Sequence, residues 1–338
     1  MNLPAALCRT AGRVHPESTW GDLFARMKYC VRALLTPAST ARWFRQLESP
    51  ALSPVAGAHP RIFSKLQRPY LHRRLGLRAR LAVLTEHYSF LTQRMDESLR
   101  RAVFSAEGHL LAALPTSEPG RYSLRLHYLD QFEKEGDLTV VLFDASQDLA
   151  AFTLTFTVAR WSEGHSELFI GGLQGRKGAN DREDVVQLTR SLHGLRPKAL
   201  LLFAIQRLAQ CWGIDHLRAV GDSEHIYRHF RKRRDIRASY DTFWEESQGV
   251  RDTDGNYSLP ERPTVRRMDE LPANKRSLYR RRYAMLEELG STIAGQLRTP
   301  ESIVTRPHKR VTDAHASGTT RSVSATSAEP GLLPTPTV

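Results

Sequence analysis

The chain has 338 residues, of which 41% are hydrophobic, so it can bury the core of one large or two modest domains. Its longest strongly apolar run, residues 199–205, is too short to cross a bilayer, and the N-terminus lacks the pattern of a standard signal peptide. The net charge is +13, and three isolated cysteines argue against both a disulfide framework and a cysteine zinc site, so we expect a basic protein of a reducing compartment.

Residues 1–60 predict a helical accessory region that ends in a linker. Apolar residues recur at helical spacing ahead of Pro37, which interrupts the pattern. Residues 49–60 are rich in Pro, Ala and Ser, which is typical of a linker. We therefore expect a cap or docking helix with an apolar stripe made of Trp20, Leu23, Phe24, Met27, Val31, Leu34 and Leu35.

Residues 61–297 predict the main domain, which opens with a helical lead-in over residues 61–108. Its cations cluster in three groups, at residues 61–80, 228–237 and 275–282. Such clusters attract polyanions, and nucleic acid, anionic lipid headgroups and a phosphorylated cofactor are all admissible partners. Residues 61–80 contain no acid, and their cations are Arg61, Lys65, Arg68, Arg73, Arg74, Arg78 and Arg80.

The hydrophobic pattern changes from helical to alternating after residue 120. Three alternating runs between residues 122 and 158 predict strands, and a fourth run begins at Leu168. Turn-forming residues separate the runs, so the strands are predicted to form an antiparallel meander. The meander ends in a glycine-rich loop with Gln174 and Gly175, where a ligand or a neighbouring strand can approach the backbone closely.

Residues 192–236 predict a loop, a helix, a strand and a second helix. Pro197 suits the first turn of the first helix because its ring presets φ and its missing N–H would have no partner there. The N-terminus of this helix favours the binding of a phosphate beside Arg196 and Lys198. Two solvated cations on a surface loop would give the same sequence pattern. The residues expected to bind a phosphorylated cofactor are His193, Gly194, Arg196, Lys198, Gln174 and Gly175.

The order of these elements resembles the fold of the Gcn5-related acetyltransferases. We therefore predict an α/β fold of the α+β kind, with a mixed, mainly antiparallel sheet flanked by helices and an acetyltransferase-like core at residues 120–237. The resemblance implies a pyrophosphate loop at the start of the helix that follows the fourth strand. Pro197 removes a backbone N–H that this loop pattern uses, and only Gly194 and Ala199 match its small residues.

The same resemblance implies a tyrosine general acid on the helix after the fifth strand. Tyr227 matches that tyrosine, and Asp222 in the turn ahead of it completes the predicted catalytic pair. The acyl donor implied is acyl-coenzyme A, with aminoacyl-tRNA as the other donor of this kind. Both would bring a phosphate to the helix start.

Several separated motifs are similar to those of the VirK/YbjX family of bacterial proteins. They are IGGLQG at residues 170–175, LHGLRPK at 192–198, HIY at 225–227, YDTFW at 240–244 and KRSLYRRRY at 275–283. The match runs over roughly residues 60–295. The resemblance implies a domain of unknown function with an envelope, virulence or stress-response role, including antimicrobial-peptide resistance, and it supplies no active site.

His225 and His229 are four residues apart and share a predicted helix face, yet the glutamate of the HExxH pattern and a third ligand are missing. We therefore predict no metal site. Residues 238–297 predict a C-terminal helical extension. Residues 298–338 are rich in Ser, Thr and Pro and are predicted to be disordered.

Two functional hypotheses follow from the sequence. The first is an acyl- or aminoacyl-type transferase that uses a phosphate-bearing donor. The second is a non-enzymatic adaptor whose basic faces bind anionic lipid, nucleic acid or a protein partner. Either hypothesis fits a cytoplasmic protein that associates peripherally with the inner membrane.

Overall fold

The computed structural model describes residues 2–17, 19–116, 118–160, 165–176, 181–228 and 239–297. Among these residues, eight strands form one sheet in the order β1-β2-β3-β4-β5-β6-β8-β7. Neighbouring strands are antiparallel except β5 and β6, which are parallel. The strands are β1 (His109–Ala113), β2 (Tyr122–His127), β3 (Leu138–Asp144), β4 (Leu149–Arg160), β5 (Ser166–Gly175), β6 (His216–Ala219), β7 (Val250–Arg251) and β8 (Tyr257–Leu259).

Helices surround this sheet, so the predicted fold, a mixed and mainly antiparallel sheet flanked by helices, is confirmed. Three short 3₁₀ helices, Pro60–Gln67, Asp130–Phe132 and Ile226–Arg228, supplement the α-helices. The α-helices are α1 (Leu3–Val14), α2 (Trp20–Leu34), α3 (Pro37–Leu47), α4 (Ser53–Ala58), α5 (Leu77–Arg94), α6 (Glu97–Val103), α7 (Asp181–Ser191), α8 (Pro197–Trp212), α9 (Tyr240–Glu246) and α10 (Ala273–Gln296).

The alternating runs of the sequence form the central strands. In β2 the burial alternates residue by residue, as expected for a strand with one face on the core. In β3 and in the Phe152–Ala159 part of β4 the residues are buried almost without interruption, as expected where helices such as α5 and α8 pack on the sheet. The strand pairs β2–β3, β3–β4 and β4–β5 are all antiparallel, and the predicted meander is therefore present.

The helix α8 begins and ends where the sequence predicts. Pro197 occupies its first turn, and Gly213 closes it in the left-handed conformation with φ of 67°. Most of the helix between these residues is buried against the sheet. The N-terminus of α8 lies beside the C-terminal end of α9, where Arg196 forms an ion pair with Glu246.

The N-terminal helices share the hydrophobic core with the main domain. Trp43 of α3 is fully buried, donates from Nε1 to the carbonyl oxygen of Ile62, and contacts Tyr88 of α5 edge-on at 5.3 Å. The segment predicted as a linker contains α4 and the start of a 3₁₀ helix rather than extended chain. The boundary at residue 60 between the accessory region and the main domain remains a prediction. Residues 1–299 form one compact unit.

Two segments differ from the sequence prediction. Residues 238–297, predicted as a helical extension, also contain β7 and β8, which complete the far edge of the sheet. The second helix predicted from His225 begins as the 3₁₀ helix Ile226–Arg228, and its remainder lies outside the described residues. The predicted disordered tail, residues 298–338, also lies outside them.

A buried ion pair joins the helical lead-in to the sheet. Lys65 and Asp137 are almost fully buried, and Lys65 Nζ donates to Asp137 Oδ1 at 2.5 Å and to the carbonyl oxygen of Gly136 at 3.0 Å. The hydroxyls of Tyr70 and Tyr88 also donate to the Asp137 carboxylate. This network compensates two charges that would otherwise be costly to bury.

Replacing Lys65 by methionine should strongly destabilise the fold, because Asp137 would remain buried without its counter-charge. We expect the free energy of unfolding to fall by about 3–5 kcal/mol. Chemical denaturation would measure the change. Arg101→Met is the matched control, because Arg101 forms an exposed ion pair with Glu97 and should cost less than about 1 kcal/mol. A loss for Lys65→Met no larger than the control's would contradict the role assigned to this network.

Glu167 at the start of β5 should make stability depend on pH. Burial raises the pKa of Glu167 to about 7, with Arg218 opposing and Asp252 and Asp254 reinforcing the shift. The unfolded chain ionises Glu167 near its ordinary value of 4.5, so this residue opposes folding increasingly as the pH rises from 4.5 to 7. Its full cost is present above pH 7.

Glu167→Gln should therefore raise the free energy of unfolding at pH 8 by up to about 3 kcal/mol and leave it nearly unchanged at pH 4. Urea denaturation at the two pH values would measure the difference. The exposed Glu287 offers a control, since Glu287→Gln should have the same small effect at both values. Equal effects of Glu167→Gln at pH 4 and pH 8 would rule out the raised pKa.

Candidate functional site

The candidate site lies where β5 parts from β6. The two strands pair in parallel up to Ile170 and Ala219, and Val220 N then donates to the carbonyl oxygen of Ile170 at 2.8 Å. Gly171 is an extra residue relative to β4, because Ile170 pairs with Phe156 while Gly172 pairs with Thr155. Such bulges bend a strand and often occur beside active sites.

Glu135 lies across this bulge, in the segment that precedes β3. A Cβ atom at Gly171 would overlap the carbonyl oxygen of Glu135, and one at Gly172 would overlap its carboxylate. Only glycine therefore permits the contact at these two positions. The close approach that the glycine-rich loop predicts is thus occupied by another segment of the same chain.

The carboxylate of Glu135 is buried between Gln174 and His225. Gln174 Nε2 donates to both carboxylate oxygens, at 2.8 and 2.7 Å, and His225 Nε2 lies 3.5 Å from Oε1. Tyr227 N donates to His225 Nδ1 at 3.4 Å, which favours the tautomer with its proton on Nε2, facing Glu135. The carboxylate thus accepts two hydrogen bonds from Gln174 and has the imidazole of His225 within ion-pair distance.

Two tyrosines adjoin this carboxylate. The backbone N–H of Leu173, just beyond the bulge, donates to Tyr240 Oη at 3.3 Å, and the Tyr240 ring lies 5.1 Å from that of His225. Tyr227 lies 5.7 Å from His225 on another side. Burial and the charge of Glu135 raise the pKa of Tyr227 to about 12, and the same two causes raise the pKa of Tyr240. Both hydroxyls keep their protons at neutral pH and can donate them.

The lead-in segment fixes the position of His225. His72 and His225 form a β-bridge, and Arg73 N donates to the carbonyl oxygen of Glu224 at 3.0 Å. Arg73 and Arg74 also form ion pairs with the buried Glu224 carboxylate at 3.2 and 2.9 Å. Two cations of the predicted polyanion-binding cluster therefore stabilise the interior instead.

The predicted phosphate-binding loop lies at the start of α8, between α9 and α10. Arg282 of α10 donates to the carbonyl oxygen of His193 through Nε at 3.0 Å and Nη2 at 2.8 Å. Gly194 has φ of +75°, and a Cβ atom there would lie 2.8 Å from Arg282 Nη2. Lys198 is half-buried, its ammonium lies 5.8 Å from the Phe243 ring centroid, and burial lowers its pKa.

The other predicted site residues lie in different surroundings. Asp222 caps α9, because its carboxylate accepts from Tyr240 N at 3.0 Å and from Ser239 Oγ at 2.7 Å. Gly175 lies against the ring of Phe152 at the end of β5. Of the predicted residues, the structure brings Gln174 and Tyr227 together around Glu135, while His193, Gly194, Arg196 and Lys198 form a separate group at α8. The catalytic and binding roles of all eight remain predictions.

A basic cleft of about 390 Å³ reaches this site at Tyr227. Cations from three parts of the chain line it, while Asp130 and Glu133 are acids of the same wall. Arg68 pairs with Glu133, and Asp130 pairs with His59. The lining cations are Lys28, Arg32, Arg61, Arg68 and Lys134.

The sequence does not single out Glu135. Tyr240 stands there only in the YDTFW motif, and His225 only in the HIY motif and as a possible metal ligand. Within the described ranges, no three His, Cys, Asp or Glu side chains are grouped to hold a metal, and His229 lies outside those ranges. The signal for Glu135 is the Glu135-Gly136-Asp137 sequence before a strand, together with two adjacent glycines inside another strand. Neither half of that signal shows that the two segments meet.

Comparisons with known proteins identify similar bacterial sequences. A family model described as "Protein of unknown function (DUF535)" matches residues 18–295. The "Uncharacterized protein YbjX" of Escherichia coli (strain K12) is 32% identical over 301 residues, which cover 88% of this chain and 91% of that protein. An uncharacterized protein of Haemophilus influenzae is 28% identical over 225 residues, covering 66% and 73%.

A "Membrane protein LapB" of Mannheimia haemolytica is 26% identical over 197 residues, covering 57% of this chain and 80% of that protein. No solved structure matches. Across the part of the chain that the structure describes, no helix combines the length and the apolar character needed to cross a membrane.

Gly171→Ala should destabilise the protein, because the added methyl group overlaps the Glu135 backbone, which the Lys65–Asp137 pair prevents from moving away. We expect a loss of about 1–3 kcal/mol in the free energy of unfolding. Gly12→Ala is the control of opposite sign, since the α1 position has open space and alanine should stabilise the helix by about 0.5–1 kcal/mol. Thermal denaturation of both variants tests the packing. A melting temperature of Gly171→Ala equal to that of the unmodified protein would disprove the close contact.

Proposed function

The chain belongs to the family described as a protein of unknown function, DUF535, and we propose that this protein transfers an acyl or aminoacyl group from a phosphate-bearing donor. The observation that carries the proposal is the buried carboxylate of Glu135 at the bulge of β5, which accepts from Gln174 Nε2 and lies 3.5 Å from His225 Nε2, while the Tyr240 hydroxyl accepts from the N–H of Leu173 in the same strand. A carboxylate and a phenol of this kind can serve as the base and the acid of one reaction.

The connectivity of the sheet supports the proposal. Five antiparallel strands, β1 to β5, precede α8, and β6 then pairs with β5 in parallel. In the Gcn5-related acetyltransferases that the sequence resembles, the helix in the place of α8 begins at the pyrophosphate loop. The helix after the fifth strand carries the general acid there. In this chain Tyr227 lies in the 3₁₀ helix Ile226–Arg228 that follows β6, and Tyr240 is the first residue of α9, the first α-helix that the structure describes after β6.

The start of α8 would take the phosphate of the acyl donor, which we propose to be acyl-coenzyme A or aminoacyl-tRNA. Arg196 and Lys198 supply positive charge there, and the helix supplies free N–H groups after Pro197. Burial lowers the pKa of Lys198, and a phosphate beside it would favour its charged form. Arg282 already fixes the carbonyl of His193, so the loop is held in one conformation.

Acyl transfer needs a base for the acceptor and an acid for the leaving group. In the proposed step, Glu135 takes the proton of an acceptor hydroxyl or amine while that oxygen or nitrogen bonds to the acyl carbonyl carbon. The bond from this carbon to the leaving sulfur or oxygen breaks, and Tyr240 gives its proton to the leaving atom. His225 and Gln174 position the carboxylate. Tyr227 is the second phenol within reach of the site.

We also propose that the acceptor belongs to the bacterial envelope and that the protein acts there from the cytoplasmic side in virulence or stress. The similar protein of Mannheimia haemolytica is named a membrane protein, which supports an envelope connection. The positive charge of this chain supports work beside an anionic surface.

Calorimetric titration of the full chain with acyl-coenzyme A and with aminoacyl-tRNA tests donor binding. We expect one of the two to bind, and Lys198→Gln to weaken that binding about tenfold, because a charged hydrogen bond to phosphate would be lost. Arg94→Gln at the exposed end of α5, outside the cation clusters, is the control and should leave binding unchanged. No binding of either donor up to millimolar concentration would refute the transferase.

Transfer of a radiolabelled acyl or aminoacyl group to the acceptors of a bacterial extract tests the base and the acid. Glu135→Gln keeps the shape and the contact with Gln174, so donor binding should persist while the transfer rate falls about 10²–10⁴-fold. Tyr240→Phe should also lower the transfer rate and leave donor binding unchanged. The transfer rate of Tyr227→Phe tests whether Tyr227, the general acid predicted from the sequence, takes part instead. Full activity in Glu135→Gln would exclude Glu135 as the base.

A further inference from the structure

The apolar stripe predicted on the first long helix is present and faces solvent. Trp20 is 87% exposed, and its six partners in the stripe are between 50% and 75% exposed. The opposite face of α2 is fixed to the protein, since Tyr29 and Ala33 are buried and Tyr29 Oη lies 3.2 Å from Thr10 Oγ1. The helix therefore presents seven large apolar side chains outward from a rigid base, far more than isolated exposed residues would explain.

Cations lie along one flank of this stripe. At about 100° per residue, Lys28 lies about 80° and Arg32 about 120° around the helix from Trp20. Both residues line the basic cleft, together with Arg61 and Lys134. Among the described side chains, no carboxylate lies within 4.0 Å of these four cations, whereas Arg68 in the same cleft pairs with Glu133.

We propose that α2 docks this protein on a bilayer that contains anionic phospholipid. The stripe from Trp20 to Leu35 inserts among the acyl chains at the interface, and the cations of the adjoining cleft bind the headgroup phosphates. Helices that lie in a membrane surface have this composition, with Trp, Phe and Leu on one side and Lys or Arg beside them. The proposal concerns α2 and the adjoining cleft and does not use the Glu135 carboxylate, so it stands independently of acyl transfer.

The charge beside the stripe favours a membrane over a second copy of the chain. Two copies joined through α2 by a twofold axis would bring two basic clefts together, and like charges at an interface oppose association. An anionic bilayer offers the opposite charge over the whole area. Each cation near such a surface adds about 1 kcal/mol, which corresponds to about fivefold in binding.

Co-sedimentation of the full chain with vesicles tests the proposal. We expect binding to vesicles of phosphatidylcholine mixed with phosphatidylglycerol and much weaker binding to phosphatidylcholine alone. Phe24→Ser should weaken binding to the mixed vesicles about tenfold, because an inserted aromatic side chain would be lost. Val265→Ser is the matched control, since Val265 is 65% exposed outside the stripe and should not affect binding.

Two further variants separate the apolar and the charged contributions. Lys28→Gln should weaken binding about fivefold, and only on the anionic vesicles. In a background that carries Trp161→Phe, since Trp161 lies outside the described residues, Trp20→Phe should retain most of the binding and abolish a vesicle-induced blue shift in tryptophan fluorescence, because Trp43, Trp212 and Trp244 are already buried. A melting temperature equal to that of the unmodified chain verifies that each variant is folded.

Three results would overturn the proposal. The first is no binding to anionic vesicles at low ionic strength. The second is equal binding to neutral and anionic vesicles. The third is a dimer of the unmodified chain in sedimentation equilibrium that Phe24→Ser converts to a monomer, since a second copy would then cover the stripe.

Discussion

The arrangement of this protein depends on the requirement that Asp137 be neutralised inside the core. Its carboxylate has no access to water. It accepts hydrogen bonds from Lys65, Tyr70 and Tyr88 of the lead-in region and from Thr157 of β4. Burial alone would raise the pKa of Asp137, but the nearby charges of Lys65 and His87 and the hydrogen bonds outweigh it and lower that pKa. The same geometry that satisfies the charge therefore fixes the helical lead-in on the sheet.

This requirement also determines the position of the candidate site. The carbonyl oxygen of Gly136 accepts a hydrogen bond from Lys65 Nζ. A Cβ atom at Gly136 would lie 2.7 Å from the carbonyl oxygen of Phe156. Because Gly136 and Asp137 are fixed, the backbone of Glu135 has to cross β5 at the bulge. Only glycine at these positions of β5 accommodates it. The buried ion pair, the bulge and the orientation of the Glu135 carboxylate form one continuous structural unit.

The sequence predicts much of the fold because the relevant signals are local. The alternating runs of β2 to β5, the start of α8 at Pro197 and the short strand β6 each depend on residues close together in the chain. The short strands β1, β7 and β8 were missed, since their few residues carry little periodicity and, unlike β6, they do not follow a helix whose end is marked in the sequence. The exposed stripe of α2 could be predicted because its spacing alone defines it, and its role as a docking face remains a proposal.

The site was less predictable, because its contacts join distant segments. Gln174 and Glu135 are 39 residues apart, and no local pattern pairs them. Cation clusters were also ambiguous, since the sequence does not separate Arg73, which binds a buried glutamate, from Arg61, which lines a cleft. Burial and partner geometry decide between these roles, and both are properties of the folded chain.

The sequence separation within the buried pair has a consequence for synthesis on the ribosome. Lys65 and Asp137 are 72 residues apart, so the first three helices leave the ribosome well before the carboxylate that neutralises Lys65 exists. A lysine cannot be buried favourably without its counter-ion. We therefore expect the nascent N-terminal helices to remain loosely packed until β3 and β4 emerge, and then to close in one cooperative step that also sets Glu135 on its strand.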